Sequence, residues 1–322
     1  MIHTINWGII GCGDVAEVKS GPAFQKVQNS KLIAVMRREA AKAKDFAERH
    51  NVPLWYDTVE ELLANPAINA VYIATPPSTH LEIAKKCLQA AKFVYLEKPI
   101  TLNFEEAKEL NRIVARNDKL VVAHYRRKLP AFLKVKELID ANSIGKIAFV
   151  DLQILQPTKN KIITKTAANW RLNPAISGGG YFHDIAPHQI DLMSYYFGDI
   201  KNAEGFSTSI LQNGVHDLVN GIIEFENAVQ FRGIWNFNAL EKEVKDACKI
   251  YGEKGTITFS FYGEKIVLST DEREEVFNFT NPTHVQQPMI EQTVNYFLGK
   301  DKNPCTIESG VSVMKIIEAF TN

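Results

Sequence analysis

Over the first 125 residues, short uninterrupted apolar runs alternate with segments of helical periodicity, and that alternation leaves few folds open. Strands are expected at residues 5–10, 31–36, 70–74, 93–96 and 120–123. Helices are expected at 14–27, 39–50, 78–90 and 103–117, with Ser78 and Asn103 as caps. Strands separated by helices imply a mostly parallel sheet with a helical layer on each face. The strands are apolar throughout rather than alternating, which suits a sheet covered on both sides.

Beyond Tyr125 the pattern changes. One helix is expected at 130–141 and a strand at 147–156. Further strands, most with polar/apolar alternation, follow at 219–225, 228–237, 249–251, 256–261, 265–269 and 275–279. A helix at 181–197 interrupts them, and helices at 287–298 and 308–320 close the chain. Strands without intervening helices point to an antiparallel or mixed sheet. A chain of 322 residues exceeds one comfortable core. Two domains follow, 1–124 and 125–322. Lys plus Arg and Asp plus Glu both total 37, so no charge excess suggests nucleic acid or a membrane surface as partner. Cys12, Cys87, Cys248 and Cys305 are scattered, as reduced thiols of a cytoplasmic protein would be. The first residues lack a signal-peptide pattern, and no apolar stretch has membrane-spanning length.

Gly11-Cys12-Gly13-Asp14-Val15-Ala16 closes the first expected strand and opens the first expected helix, the setting of a dinucleotide phosphate loop. Gly11 allows the tight turn, Gly13 lets the backbone approach a pyrophosphate, and Ala16 permits close helix packing. The alternative is a plain glycine turn. The second strand ends on Arg37-Arg38, where an NAD site usually carries an acid for the ribose 2′-hydroxyl. Guanidinium groups suit a 2′-phosphate, so NADP(H) is favoured over NAD(H). The alternative is a solvated basic helix start.

Glu97-Lys98-Pro99-Ile100 follows the run 93–96. Pro99 disfavours helix at Lys98, which is therefore held extended at the carboxyl edge of its strand, where open parallel sheets bind ligands. Thr75-Pro76-Pro77-Ser78-Thr79-His80 leaves the preceding strand in the same way, and the two loops form candidate walls of a nicotinamide pocket. His80 either belongs to that wall or is a helix-start histidine without a chemical part. Gly178-Gly179-Gly180 precede Asp184 and His188, which share one helical face, with Asp191 placed to support His188. Carboxylate, imidazole and Lys98 together would make a proton relay. A metal needs more ligands than this spacing supplies, so none is expected. His183 is read as packing or rim.

With the phosphate loop, the Glu-Lys-Pro motif and the glycine–Asp–His run in this order, the whole chain resembles the Gfo/Idh/MocA family of oxidoreductases. The resemblance implies an α/β protein: an N-terminal Rossmann dinucleotide-binding domain, and a C-terminal α+β domain with a large, open, mostly antiparallel sheet that often forms the oligomer interface. It implies an NAD(P)-dependent dehydrogenase or reductase acting on a sugar, polyol or related small carbonyl. Lys98 would hydrogen-bond the reacting oxygen near the nicotinamide ribose, His188 would act as acid/base, and Asp184 would tune it. Trp170 and Arg171 would line the cofactor and substrate cleft. Tyr125 and Arg126 would face the substrate, while His124 stands where the family more often has Asn. A homodimer or homotetramer is expected. The alternatives are a catalytically silent sugar- and dinucleotide-binding regulator, disfavoured because Lys98, Asp184 and His188 are all present, and an NAD-dependent glycoside-cleaving enzyme, which Arg37 and Arg38 fit less well.

Overall fold

The computed structural model describes residues 2–115, 118–159, 162, 169–212 and 214–322. Two compact units emerge. One comprises residues 1–125 with 282–314, the other residues 126–281 with 315–322.

The first unit is built on six strands, β1 (Ile5–Ile10), β2 (Ser30–Met36), β3 (Leu54–Tyr56), β4 (Ala70–Ile73), β5 (Phe93–Leu96) and β6 (Leu120–Val122), in the order β3-β2-β1-β4-β5-β6. All neighbours are parallel. Helices α1 (Ala40–Arg49), α2 (Val59–Ala64), α3 (His80–Gln89) and α4 (Phe104–Val114) make the crossovers. The strand order reverses between β1 and β4, which in such sheets is where the ligand crevice opens. One sheet face carries an aromatic core. Trp7 lies 4.7 Å from Phe24, Phe24 lies 5.3 Å from Tyr72, and Tyr72 stacks on Tyr95 at 5.3 Å.

The helix expected at 14–27 is a π turn, Ala16–Ser20, followed by a 3₁₀ turn, Gly21–Gln25. Pro22 explains the difference. It has no N–H for an α-helical bond and its ring clashes one turn back, so the ladder widens and the Gly21 N–H reaches the Ala16 carbonyl. Ser78 does not cap α3, which begins at His80 after a short 3₁₀ turn. Asn103 does cap α4, accepting from the Glu106 N–H at 2.9 Å. The last two residues of the helix expected at 103–117 lie outside the described residues. Strand β3 and helix α2 had no counterpart in the sequence reading, because three half-exposed residues carry no periodic signal.

The second unit holds β7 (Ile147–Leu155), β8 (Ile200–Thr208), β9 (Leu218–Phe225), β10 (Gln230–Asn236), β11 (Lys245–Gly252), β12 (Gly255–Phe259), β13 (Lys265–Thr270) and β14 (Glu274–Asn278). Their order is β14-β13-β12-β11-β7-β10-β9-β8, antiparallel except where β10 meets β7. Helices α5 (Pro130–Asp140), α6 (Pro174–Ser177) and α7 (Tyr181–Phe197) belong to this unit. On the inner face of the sheet Phe182 lies 5.2 Å from Trp235, Phe197 5.4 Å from Phe225, and Phe132 6.1 Å from Phe259. On the other face Phe149 and Tyr251, register partners, stack at 4.3 Å.

Two helices end the chain, α8 (Gln287–Phe297) and α9 (Ile307–Thr321). The segment through α8 returns to the first unit. Phe297 stacks on Phe93 at 4.5 Å and lies 5.8 Å from Trp7, and the Val122 N–H donates to the Cys305 carbonyl at 2.9 Å. A single division at 124/125 therefore does not describe the units: residues 282–314 complete the core of the first. No helix among the described residues is long and apolar enough to cross a membrane.

Candidate active site

The parallel sheet places its loops by register. Ile10 pairs with both Met36 and Ile73, Ile73 with Leu96, and Leu96 with Val122, so five strands finish on one line. The ladder continues one residue past it. Gly11 N–H donates to Met36, Ala74 to Ile10, Glu97 to Ile73 and Ala123 to Leu96. Five loops therefore leave one carboxyl edge: Gly11-Cys12-Gly13, Arg37-Arg38, Thr75-Pro76, Glu97-Lys98-Pro99 and His124-Tyr125.

Gly11 has φ +93°, and a Cβ there would stand 2.9 Å from the Ala74 carbonyl, so both conformation and space demand glycine. Gly13 differs. A Cβ on it would meet no atom within 4 Å, so the backbone borders open space. Helical structure opens at Asp14, and the first N–H groups of the turn through Val15 and Ala16 have no carbonyl one turn earlier to bond. Exposed donors beside open space fit a pyrophosphate, so these residues suit a dinucleotide. Cys12 is buried, which pushes its thiol up to about 11 and leaves it a neutral packing group. Half-buried Arg37 extends Nη1 to the Cys12 carbonyl at 3.4 Å, which ties the guanidinium to the glycine loop. Arg38 is exposed, and Glu39 is paired with Lys42 at 2.7 Å.

The Thr75 and Lys98 loops are braced from inside. His80 is fully buried, with Nε2 2.7 Å from the Thr75 carbonyl and Nδ1 2.9 Å from the Pro99 carbonyl. Burial holds its pKa below the ordinary histidine range, while the two carbonyls act in the opposite sense. His80, expected among the cofactor contacts, thus holds two loops together rather than presenting a face to a ligand. The Lys98–Pro99 bond is cis. Glu97 is buried, and a carboxylate there needs donors. Its Oε1 accepts from Tyr72 Oη at 2.5 Å and Gln286 Nε2 at 2.6 Å, and its Oε2 from the Lys98 N–H at 3.2 Å. Burial and the neighbouring carboxylate raise the Tyr72 pKa well above the usual phenol range, so it stays a donor.

In the second unit, Gly178 and Gly180 have φ of +90° and +84°, turning the chain sharply into α7. Helical spacing then sets Asp184, His188 and Asp191 along one side. Arg171 Nε donates to Asp184 Oδ2 at 2.7 Å and its guanidinium lies 4.6 Å from the Trp170 ring. Asp191, expected to support His188, has both oxygens bonded by Arg127, at 2.7 and 2.9 Å. His188 is buried between these two ion-paired carboxylates of its own helix. Arg126 is buried, donating to the Phe261 carbonyl and lying 4.5 Å from the Tyr262 ring. His183 is buried with its pKa driven down to about 4, chiefly by burial and then by His216, whose ring lies 6.2 Å away. Sequence reasoning missed Arg127, although it adjoins Arg126, and missed Tyr72 and Gln286, whose partners lie 25 and 189 residues away from them in the chain.

Comparison with known proteins agrees with this geometry. Residues 5–125 match the family model described as an oxidoreductase family with an NAD-binding Rossmann fold, and residues 132–258 match the GFO/IDH/MocA C-terminal domain. Oxidoreductase P35 of Formosa agariphila is 55% identical over 322 residues, covering 99% of both chains. An NADP⁺-dependent scyllo-inositol 2-dehydrogenase of Bacillus subtilis is 31% identical over 199 residues, 61% of this chain and 53% of that one. Levoglucosan dehydrogenase in complex with NADH and levoglucosan superposes with a TM-score of 0.87 over 98% of this chain and 96% of its own, at 22% identity, a likeness of fold. With matched models in both units and a glycine loop shaped for a dinucleotide, the chain belongs to the GFO/IDH/MocA family of oxidoreductases.

Proposed function

We propose that the protein transfers a hydride between NADP(H) and a sugar, polyol or related small carbonyl compound. The observation that carries this reading is the single edge from which the glycine loop, Arg37 and the Lys98 loop all emerge. The nicotinamide cofactor supplies or accepts the hydride. Backbone N–H groups of residues 14–16 bind the pyrophosphate. Arg37, tethered to Cys12, and Arg38 bind the adenosine 2′-phosphate, each charge-assisted bond contributing about 1.5–3 kcal/mol. Lys98 donates to the reacting oxygen and stabilises its developing charge. His188 carries the proton, with Asp184 held by Arg171 beside it on the helix. In the first unit Thr75 and Pro76 bound the nicotinamide, and Tyr125 contributes to substrate recognition. The inositol dehydrogenase relative supports the polyol class.

We also read the outer face of the second unit's sheet as the contact between copies, because Phe206 is 83% and Ile222 59% exposed on neighbouring strands. Sedimentation of wild-type protein and Phe206→Asp at micromolar concentration tests it. A monomeric wild type refutes the contact. The cofactor is tested by titrating the purified, cofactor-stripped protein with NADPH and with NADH, following nicotinamide fluorescence, and then assaying a panel of sugars and polyols with the tighter binder. Tighter NADH binding refutes the role given to Arg37 and Arg38. Binding of neither refutes the enzyme reading.

A further inference from the structure

We propose that Gln286 is a positioning residue for Lys98, acting through Glu97. This rests on the role given to Lys98 above. Gln286 is fully buried and bonds three separate stretches of the first unit. Its Nε2 donates to Glu97 Oε1 at 2.6 Å and to Tyr72 Oη at 3.4 Å, its Oε1 accepts from Tyr95 Oη at 3.2 Å, and its main-chain N–H donates to the Lys19 carbonyl at 3.3 Å. Tyr72 joins the same carboxylate oxygen and itself accepts from Ser20 at 3.2 Å. Lys19 and Ser20 lie in the turn that follows the glycine loop. The network therefore links the phosphate-side turn, the interiors of β4 and β5, and the corner that carries Lys98.

The amide works both ways, as the chemistry of the site requires. A donor toward Glu97 and an acceptor toward Tyr95 are needed at once, and a primary amide offers both. Because Glu97 Oε2 accepts from the Lys98 N–H, the angle of the carboxylate fixes the peptide plane from which the lysine departs. Remove the Gln286 amide and Oε1 keeps the Tyr72 hydroxyl but loses its second side-chain donor, so the carboxylate can swing and carry the Lys98 main chain with it. Displacement of a reacting group by about 1 Å costs roughly 100-fold in rate.

The test uses full-length Gln286→Leu and, as a milder second variant that keeps the ring, Tyr72→Phe. Amide hydrogen exchange is read residue by residue by NMR. At least tenfold faster exchange at Lys98, with Ile9 and Ile10 of β1 unchanged, is expected in both. Unchanged exchange at Lys98, or equal loss across the whole sheet, overturns the proposal. In turnover, kcat is expected to fall at least tenfold while the Kd for the nicotinamide cofactor stays within twofold, and Gln286→Leu is expected to lose most of its effect on kcat in a Glu97→Gln background. Full additivity in that background overturns the proposal. If wild-type protein turns over no member of the substrate panel, the hydride-transfer reading fails, while exchange at Lys98 still decides whether Gln286 holds the corner.

Discussion

The helix that carries Asp184 and His188 is anchored by a buried ion pair, and breaking that pair has a calculable cost. Arg127 grips both oxygens of Asp191 at 2.7 and 2.9 Å, with side-chain exposures of 9% and 2%. Asp191→Ala would leave the guanidinium buried without its carboxylate, which costs about 3–5 kcal/mol. At roughly 2–4 °C per kcal/mol for a domain of this size, Tm should fall by about 6–20 °C. Replacing both partners by apolar residues, as in Arg127→Met with Asp191→Leu, removes the stranded charge and should recover most of that loss. Thermal unfolding followed by circular dichroism compares wild type, Asp191→Ala and the double variant. The double variant should bind cofactor normally yet turn over slowly, because α7 would be stable but without its fixed rotation. If Asp191→Ala costs under about 1 kcal/mol, or if the double variant is no more stable than the single one, the reasoning about a desolvated pair is refuted.

Three further outcomes are expected. Arg37→Ala should weaken NADPH binding about tenfold while leaving NADH within about twofold, since one charge-assisted bond to the 2′-phosphate is lost; equal weakening of both in the titration would refute the assignment. Lys98→Met and His188→Ala should each lower kcat by roughly 10²–10⁴ with the circular dichroism spectrum retained, and wild-type rates in both would refute the proposed chemistry. His183, held down to about 4 in the folded protein, binds its proton more readily when unfolded. Its contribution is therefore present above about pH 6.5 and is lost as pH falls toward 4, by about 3 kcal/mol in all. His183→Gln should flatten the dependence of Tm on pH across that window, and an unchanged slope would show that the buried ring is not its source.

The parallel half of the fold was legible because its strands and helices each announce themselves locally. The run 93–96 is apolar throughout, and Asn103 caps the helix that follows. The sheet edge was legible for the same reason: glycine, arginine and proline sit immediately after strands, and register carries them to one line. Side-chain partnerships were not legible. That a long arginine from residue 127 reaches Asp191 has no local signal in the chain. His80 looked like a pocket wall, yet burial turned it into a brace between loops. Pro22 was visible in the sequence, and its effect on the turn after the glycine loop was within reach of backbone reasoning alone. Gln286 was beyond reach, since its amide matters only once the chain has come back to the first sheet.

That return has a consequence for how the protein is made. The ribosome finishes β6 at Val122 well before it reaches residue 282, and the interval of about 160 residues takes roughly 8–30 s at about 5–20 residues per second. During that time Phe93 waits for Phe297, the Val122 N–H for Cys305, and Glu97 for the amide of Gln286. The nascent dinucleotide-binding unit is thus an open half-structure with an apolar face awaiting cover, and its completion waits for synthesis of the other unit.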